Sequence, residues 1–256
     1  MDITCPSGLS GTIRKFSVGN LDALLARDKR GSGPTMEFML ARMIWESTSD
    51  RGPYAFADEC PPWDRDVLTG DRFYALMQSR IITPGRGSEF SFDVQCSGPS
   101  CDEHFKWNIK LDQLPVKYMT EKSKAVFKQG NRFEHTLKCG KRIVFSLPTG
   151  ASQKRLAELV KEHGQGNAIL YGSRLREVEG VEKRDIIKWV QTLDDWDIFE
   201  DMKDAMDEAD CGVQTAVMTT CPACGYRQET EVGFGKGFFF PERKHKSIET
   251  EDSSTG

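Results

Sequence analysis

The residues with the strongest chemical signature are two cysteine pairs, Cys96/Cys101 in CSGPSC and Cys221/Cys224 in CPACG. Thiolates at close spacing are soft ligands, and a structural zinc(II) ion takes four of them in a tetrahedron. One pair is half a site, so Cys96, Cys101, Cys221 and Cys224 form the candidate metal set. In CPACG, Pro222 stiffens the loop and Gly225 lets the chain turn with its amides toward sulfur, as in a zinc knuckle. The wider spacing of the first pair still lies within the range zinc modules use. The pairs are about 120 residues apart, and closing so long a loop opposes folding by several kcal/mol. Structural zinc contributes on the order of 10 kcal/mol or more in finger peptides, enough to offset that term.

Two other readings stand beside the metal. Separate disulfides are disfavoured in a reducing compartment, and unmetallated thiols need no partner at all. A redox-active CxxC follows a strand and opens a helix, whereas QTAVMTT and RQETEV, on either side of CPACG, both read as strand. Cys5, Cys60, Cys139 and Cys211 have no spacing partner and read as plain thiols.

Catalytic signatures are missing. His104, His135, His163 and His245 are scattered, and no HExxH, GxSxG, P-loop or post-strand GxGxxG occurs. His135 and Cys139 are four apart, but RFEHTLK alternates like a strand, which makes His135 a polar-face residue. The expectation is a protein without enzymatic activity. A hydrolase with an open zinc site is one alternative. A zinc-ribbon nucleic-acid binder, motivated by Arg243, Lys244, His245 and Lys246, is another. A net charge of -4, from 35 basic and 39 acidic side chains, argues against broad nucleic-acid coating.

These cysteines must be positioned by the elements around them. Phe90, Phe92, Val94 and Cys96 alternate with polar residues, as do Phe105, Trp107, Ile109 and Leu111, so two antiparallel strands flank the first pair. VQTAVMTTCPACGYRQETEV reads as a second hairpin with the second pair at its turn. Two such tips facing each other make a zinc ribbon. Elsewhere, ITCPSGLSGTIRKF reads as a small hairpin. A short helix follows from Asn20 with Leu21, Leu24 and Leu25, and Met36, Met39, Leu40, Met43 and Ile44 mark an amphipathic helix with a core-packing stripe. Residues 46–66 read as a loop anchored by Trp63. A helix is expected over Thr69–Ile82, burying Phe73, Leu76, Met77 and Ile81. A strand pair spans Phe133–Cys139 and Lys141–Leu147. From 150 to 210 the chain reads as helical, with Ala168–Val178 open to either helix or strand. A last helix, capped by Asp194 or Asp195, carries an acidic face of Glu200, Asp201, Asp204, Asp207 and Glu208 that is most simply a solubilising surface. Phe234, Phe238, Phe239 and Phe240 supply packing or an interaction surface.

With 256 residues, of which 38% are hydrophobic, the chain is long enough for a sizeable core, and disorder throughout is excluded. No apolar run approaches a membrane span, and MDITCPSGLSG lacks a signal-peptide layout, so a soluble, non-exported protein is expected. The reading is an α+β fold in which antiparallel β-hairpins form a zinc-ribbon-like unit, with helical N-terminal and central segments. Its parts are residues 1–87 (hairpin plus helices), 88–148 (hairpin region with the first cysteine pair), 149–212 (helical insert), 213–242 (hairpin with the second pair) and 243–256 (a flexible basic and polar tail).

In this order, PSGLSGTIRKFSVGNLDALL, the first cysteine hairpin leading to WNIKLDQLPV, FSLPTGA, the helical insert and the second cysteine hairpin resemble the small baseplate-hub proteins of T-even-like contractile-tailed bacteriophages. CSGPSC departs from the CPxCG pattern expected at the first pair. The resemblance implies a component or assembly factor of the tail baseplate hub. Its partners would be other hub or wedge proteins and the tape-measure protein; the absence of an apolar span and the charge balance, read from the residues, argue against a membrane and against nucleic acid. Its place would be the virion tail baseplate, or the host bacterial cytoplasm during assembly.

Overall fold

The computed structural model describes residues 1–17, 19–20, 39–164, 166–232 and 238. The expected helix positions Leu21, Leu24, Leu25 and Met36, the aromatic residues Phe234, Phe239 and Phe240, the basic patch 243–246 and the tail lie outside them. The chain divides into two units, one of Met1–Glu89 with Lys110–Gln214 and one of Phe90–Ile109 with Thr215–Gly256. Helices and antiparallel strands are mixed, an α+β composition. Among the described residues no helix is long and apolar enough to cross a membrane.

The larger unit opens with β1 (Asp2–Thr4), β2 (Ser10–Ile13) and β3 (Trp45–Asp50), an antiparallel sheet in that order. Strand β3 corrects the loop expected from 46. Only Trp45 of WESTSD is buried, so a polar edge strand shows no apolar alternation to read. The helix expected through Ile44 is, over its described part, a wide π turn at Leu40–Ile44 that leads straight into β3. The turn still buries Met39, Leu40, Met43 and Ile44. Trp63 does anchor its loop, edge-on to Trp45 at 5.0 Å between ring centroids.

Helix α1 (Thr69–Ile81) runs where its periodicity places it, but its buried face differs. Leu76 and Met77 are buried as expected, whereas Phe73 and Ile81 are only half-buried, and Asp71, Arg72, Ser79 and Arg80 go inside. Burying polar groups requires partners. Ser79 Oγ donates to the Arg14 carbonyl (2.7 Å), Arg72 donates to Gln153 (2.9 Å) and Arg80 donates to the Glu89 carbonyl (2.8 Å). Asp71 accepts from the Ser7 amide (3.0 Å), the Ser7 hydroxyl and the Tyr54 hydroxyl (2.6 Å). One carboxyl thereby ties the β1–β2 turn and the Tyr54 loop to α1.

The rest of this unit comprises β6 (Val116–Lys117), α2 (Glu121–Lys128), β7 (Phe133–Thr136), β8 (Arg142–Phe145), α3 (Gly150–His163), α4 (Asn167–Gly172), β9 (Leu175–Val178), α5 (Ile186–Gln191), α6 (Trp196–Ala209) and β10 (Gly212–Val213). Residues 168–178, open in the sequence, hold most of α4 and all of β9. Strand β8 is central between β7 and β9, and Ile143, Val144 and Phe145 are all buried, so both of its faces are covered. Helix α6 is capped by Asp195, which accepts from the Asp197 amide (2.9 Å), and buries Phe199, Met202, Met206 and Ala209.

The smaller unit holds two hairpins, β4 (Glu89–Gln95) with β5 (His104–Lys110), and β11 (Ala216–Thr220) with β12 (Arg227–Glu231). Phe238 is buried edge-on to Phe90 at 5.2 Å, which places it in packing.

Burial raises the Asp71 carboxyl to about 6, although the Ser7 and Tyr54 hydroxyls and the Ser7 amide favour its ionised form. A folded-state value above the unfolded one contributes stability that is complete below the unfolded pKa and is lost as pH rises through about 6. A rise of this size corresponds to roughly 3 kcal/mol. Asp71→Asn is therefore expected to gain on the wild type by up to about 3 kcal/mol between about pH 4 and about pH 7, measured by urea unfolding. A variant that loses ground as pH rises contradicts the buried-acid account.

Candidate metal centre

Both cysteine pairs sit where a hairpin turns. In the first, the Cys96 amide donates to the Glu103 carbonyl (2.9 Å), extending the β4–β5 ladder by one rung, and the Cys101 amide donates to the Gly98 carbonyl (3.2 Å). In the second, the Cys221 amide donates to the Tyr226 carbonyl (2.9 Å) and the Gly225 amide returns to the Cys221 carbonyl (2.9 Å). Gly225 has φ +71°, a left-handed turn that glycine adopts without steric cost.

The structure brings all four predicted cysteines together, with their sulfurs within 4.8 Å of one another. Across the hairpins, Cys96 Sγ lies 3.6 Å from Cys224 Sγ, and Cys101 Sγ lies 3.9 Å from Cys221 Sγ. A disulfide needs about 2.05 Å, so these are not bonding distances. Four sulfurs each about 2.3 Å from a shared ion stand about 3.8 Å apart at the corners of a tetrahedron, so the observed spacing fits a four-thiolate metal site. Cys96 and Cys221 are buried, Cys101 is half-buried and Cys224 is exposed, which leaves one edge open for an ion to enter.

Backbone amides point at the sulfurs. The Gly98 amide donates to Cys96 Sγ (3.3 Å), and Cys221 receives the amides of Cys224 and Ala223. Partial desolvation pushes the Cys221 thiol up, but those amides and the neighbouring thiols outweigh it and bring it to about 7. At Cys96 the Gly98 amide favours the thiolate, yet burial and hydrogen bonds with the other three sulfurs prevail and lift it to about 12. Four sulfurs this close cannot all ionise without a cation among them.

The sequence did not disclose what joins the two tips. The Gln228 side-chain carbonyl accepts from the Ser97 amide (2.7 Å) and the Ser97 hydroxyl (3.0 Å), while its amide donates to the Gln95 carbonyl (2.8 Å). One side chain of β12 thus bonds the end of β4. Gly98 lies against Tyr226, where a Cβ would come within 3.0 Å of that side chain. A glutamine in a polar strand carries no sequence signal for such a bridge. The other cysteines are apart from the cluster: Cys5 and Cys211 are buried in the larger unit, where desolvation raises both thiols, Cys60 is half-buried and Cys139 is exposed. Gln228→Ala is expected to speed hydrogen exchange at the Ser97 amide by about tenfold, the scale of one hydrogen bond. Unchanged protection there contradicts the bridge.

Comparison with known proteins adds one result. No curated protein and no solved structure matches the chain. A family model described as T4 bacteriophage base plate protein matches residues 3–240, a span that includes both cysteine hairpins and nearly all of the larger unit. The chain belongs to the T4 bacteriophage base plate protein family.

Proposed function

We propose that Cys96, Cys101, Cys221 and Cys224 hold one structural zinc(II) ion and that the stapled protein is a non-enzymatic docking module of the phage baseplate hub, as a hub component or hub assembly factor. The observation that carries this reading is the set of sulfur separations, 3.6 and 3.9 Å across the hairpins, in a member of a base plate family. Four thiolate ligands leave no open coordination position, so the ion would supply cross-linking and not an activated water. The two hairpins would then form a zinc-ribbon-like unit. The chain's own residues do the rest: the amides of Gly98, Ala223 and Cys224 face sulfur, and Gln228 fixes the register of one tip against the other.

Partners in this reading are other hub or wedge proteins and the tape-measure protein, reached in the host cytoplasm during assembly or in the virion tail. A rigid element suits such docking because ordering a loop at an interface costs binding free energy. The test removes one ligand at a time. Cys221→Ser and Cys224→Ser are expected to lose the metal, melt the smaller unit and stop incorporation into base plates made in infected cells. Cys139→Ser, an exposed cysteine outside the cluster, is expected to change none of these. Normal incorporation of a metal-free Cys224→Ser chain would contradict the proposal.

A further inference from the structure

Helix α6 carries an exposed aromatic surface within an excess of negative charge. Trp196, its first residue, is 64% exposed, the most of any large hydrophobic side chain described. Its ring lies 5.1 Å from Phe199, which is buried and in turn meets Tyr171 of α4 edge-on at 5.5 Å. Leu170, next to Tyr171, is 44% exposed. Asp194 and Asp197, close to Trp196 in sequence, are exposed, and Glu200, one helical turn beyond it, is half-buried. Burial, then Asp207 and Glu200, hold the Tyr171 phenol above its usual value, against the pull of Lys203 and Arg174. Lys203 is the single basic side chain of α6, and it pairs with Glu200 at 3.8 Å.

Part of this charge is kept against local stability. Asp201 is half-buried and partnered, accepting from the Lys138 amide (2.8 Å) and facing His135 Nε2 at 3.3 Å, but Asp204 and Glu208, four apart on the exposed side, repel along the helix. Asp207 and Glu208 also stand in the last turn, where the helix dipole disfavours anions. A solubilising surface needs neither this density nor a tryptophan at its edge. Local rules broken together at one place mark a functional surface.

We propose that the α6 surface centred on Trp196 is a docking site for a cationic amphipathic segment of a partner protein, an arginine- or lysine-rich stretch with apolar anchors. A guanidinium over the Trp196 face gains cation–π attraction, the surrounding carboxylates supply complementary charge, and the apolar anchor covers Leu170 and Tyr171. Tryptophan and tyrosine are also the residues that most often dominate interface energetics. A second copy of the chain does not suit this surface, because a twofold contact would set acids against acids. The inference deepens the docking reading and rests on it, but it does not depend on the metal.

The test is calorimetric titration of the full chain with a synthetic peptide of repeated Leu-Arg-Arg-Leu units, and with the same peptide carrying Glu for Arg. The arginine peptide is expected to bind, more weakly as salt is raised, and the glutamate peptide not to bind. Trp196→Ala, which should fold normally because the side chain is exposed, is expected to weaken binding about tenfold or more. Asp194→Asn, Asp197→Asn and Glu200→Gln together should flatten the salt dependence. Absence of binding, equal binding to Trp196→Ala, or affinity indifferent to salt overturns the assignment. A concentration-dependent dimer that Trp196→Ala abolishes would overturn it in favour of self-association. The docking reading fails on a different result, absence of the chain from assembling and finished base plates.

Discussion

Four sulfur atoms, supplied by two turns about 120 residues apart, share a volume only a few ångströms across. Closing a loop of that length costs several kcal/mol of chain entropy, and bare thiols so close supply no compensating attraction. The β4–β5 and β11–β12 hairpins, the amides directed at sulfur and the Gln228 bridge all serve this one convergence. The smaller unit is built from residues 90–109 and from 215 onward, so residues 110–214 of the larger unit form an excursion that leaves one hairpin and returns to the other. The proposed metal cross-link at the tips would give that excursion fixed ends.

What the sequence disclosed follows from how many signals act at each place. The β4–β5 alternation, the CPACG turn, Leu76 and Met77 on α1, and the Asp195 cap of α6 are signalled by periodicity or by cap and turn residues, and the structure has them. Strand β3 escaped because its pairing with β2 depends on backbone bonds and not on apolar residues. The inner face of α1 escaped because Asp71, Arg72 and Arg80 are buried by virtue of partners far away in sequence, Ser7, Tyr54, Gln153 and Glu89. Periodicity reports apolar faces; it has no term for a polar group satisfied at long range. Gln228 is the same case at the candidate site. Cysteine spacing named the four thiols, while the side chain that aligns the tips carried no local mark.

The two units divide the labour in chemical terms. The smaller one consists of two short hairpins, and the residues of β5 are exposed or half-buried along its length, so in the proposed reading its rigidity would come from the metal. In the larger one, Leu9, Ile44, Leu68, Leu76 and Ile143 are buried in apolar packing, and the charge state of Asp71 makes one of the ties within it pH-sensitive. Helix α6 buries Phe199, Met202 and Met206 and leaves Trp196, Asp204, Asp207 and Glu208 exposed, while Asp201, expected on the solvent face, turns in to the Lys138 amide and His135. A base plate is an assembly of many chains, and a chain that contributes to one needs stiff parts that hold shape and exposed parts that select neighbours. In the proposed reading the metal-loaded thiol cluster would be of the first kind and α6 of the second.

The most direct measurement is X-ray absorption spectroscopy of the purified, metal-loaded protein. The account predicts a zinc edge, one ion per chain, and a first shell of four sulfurs at about 2.3 Å with no oxygen or nitrogen neighbour. A shell with fewer sulfurs and a light-atom ligand, or protein that stays folded and holds no stoichiometric metal, would contradict it.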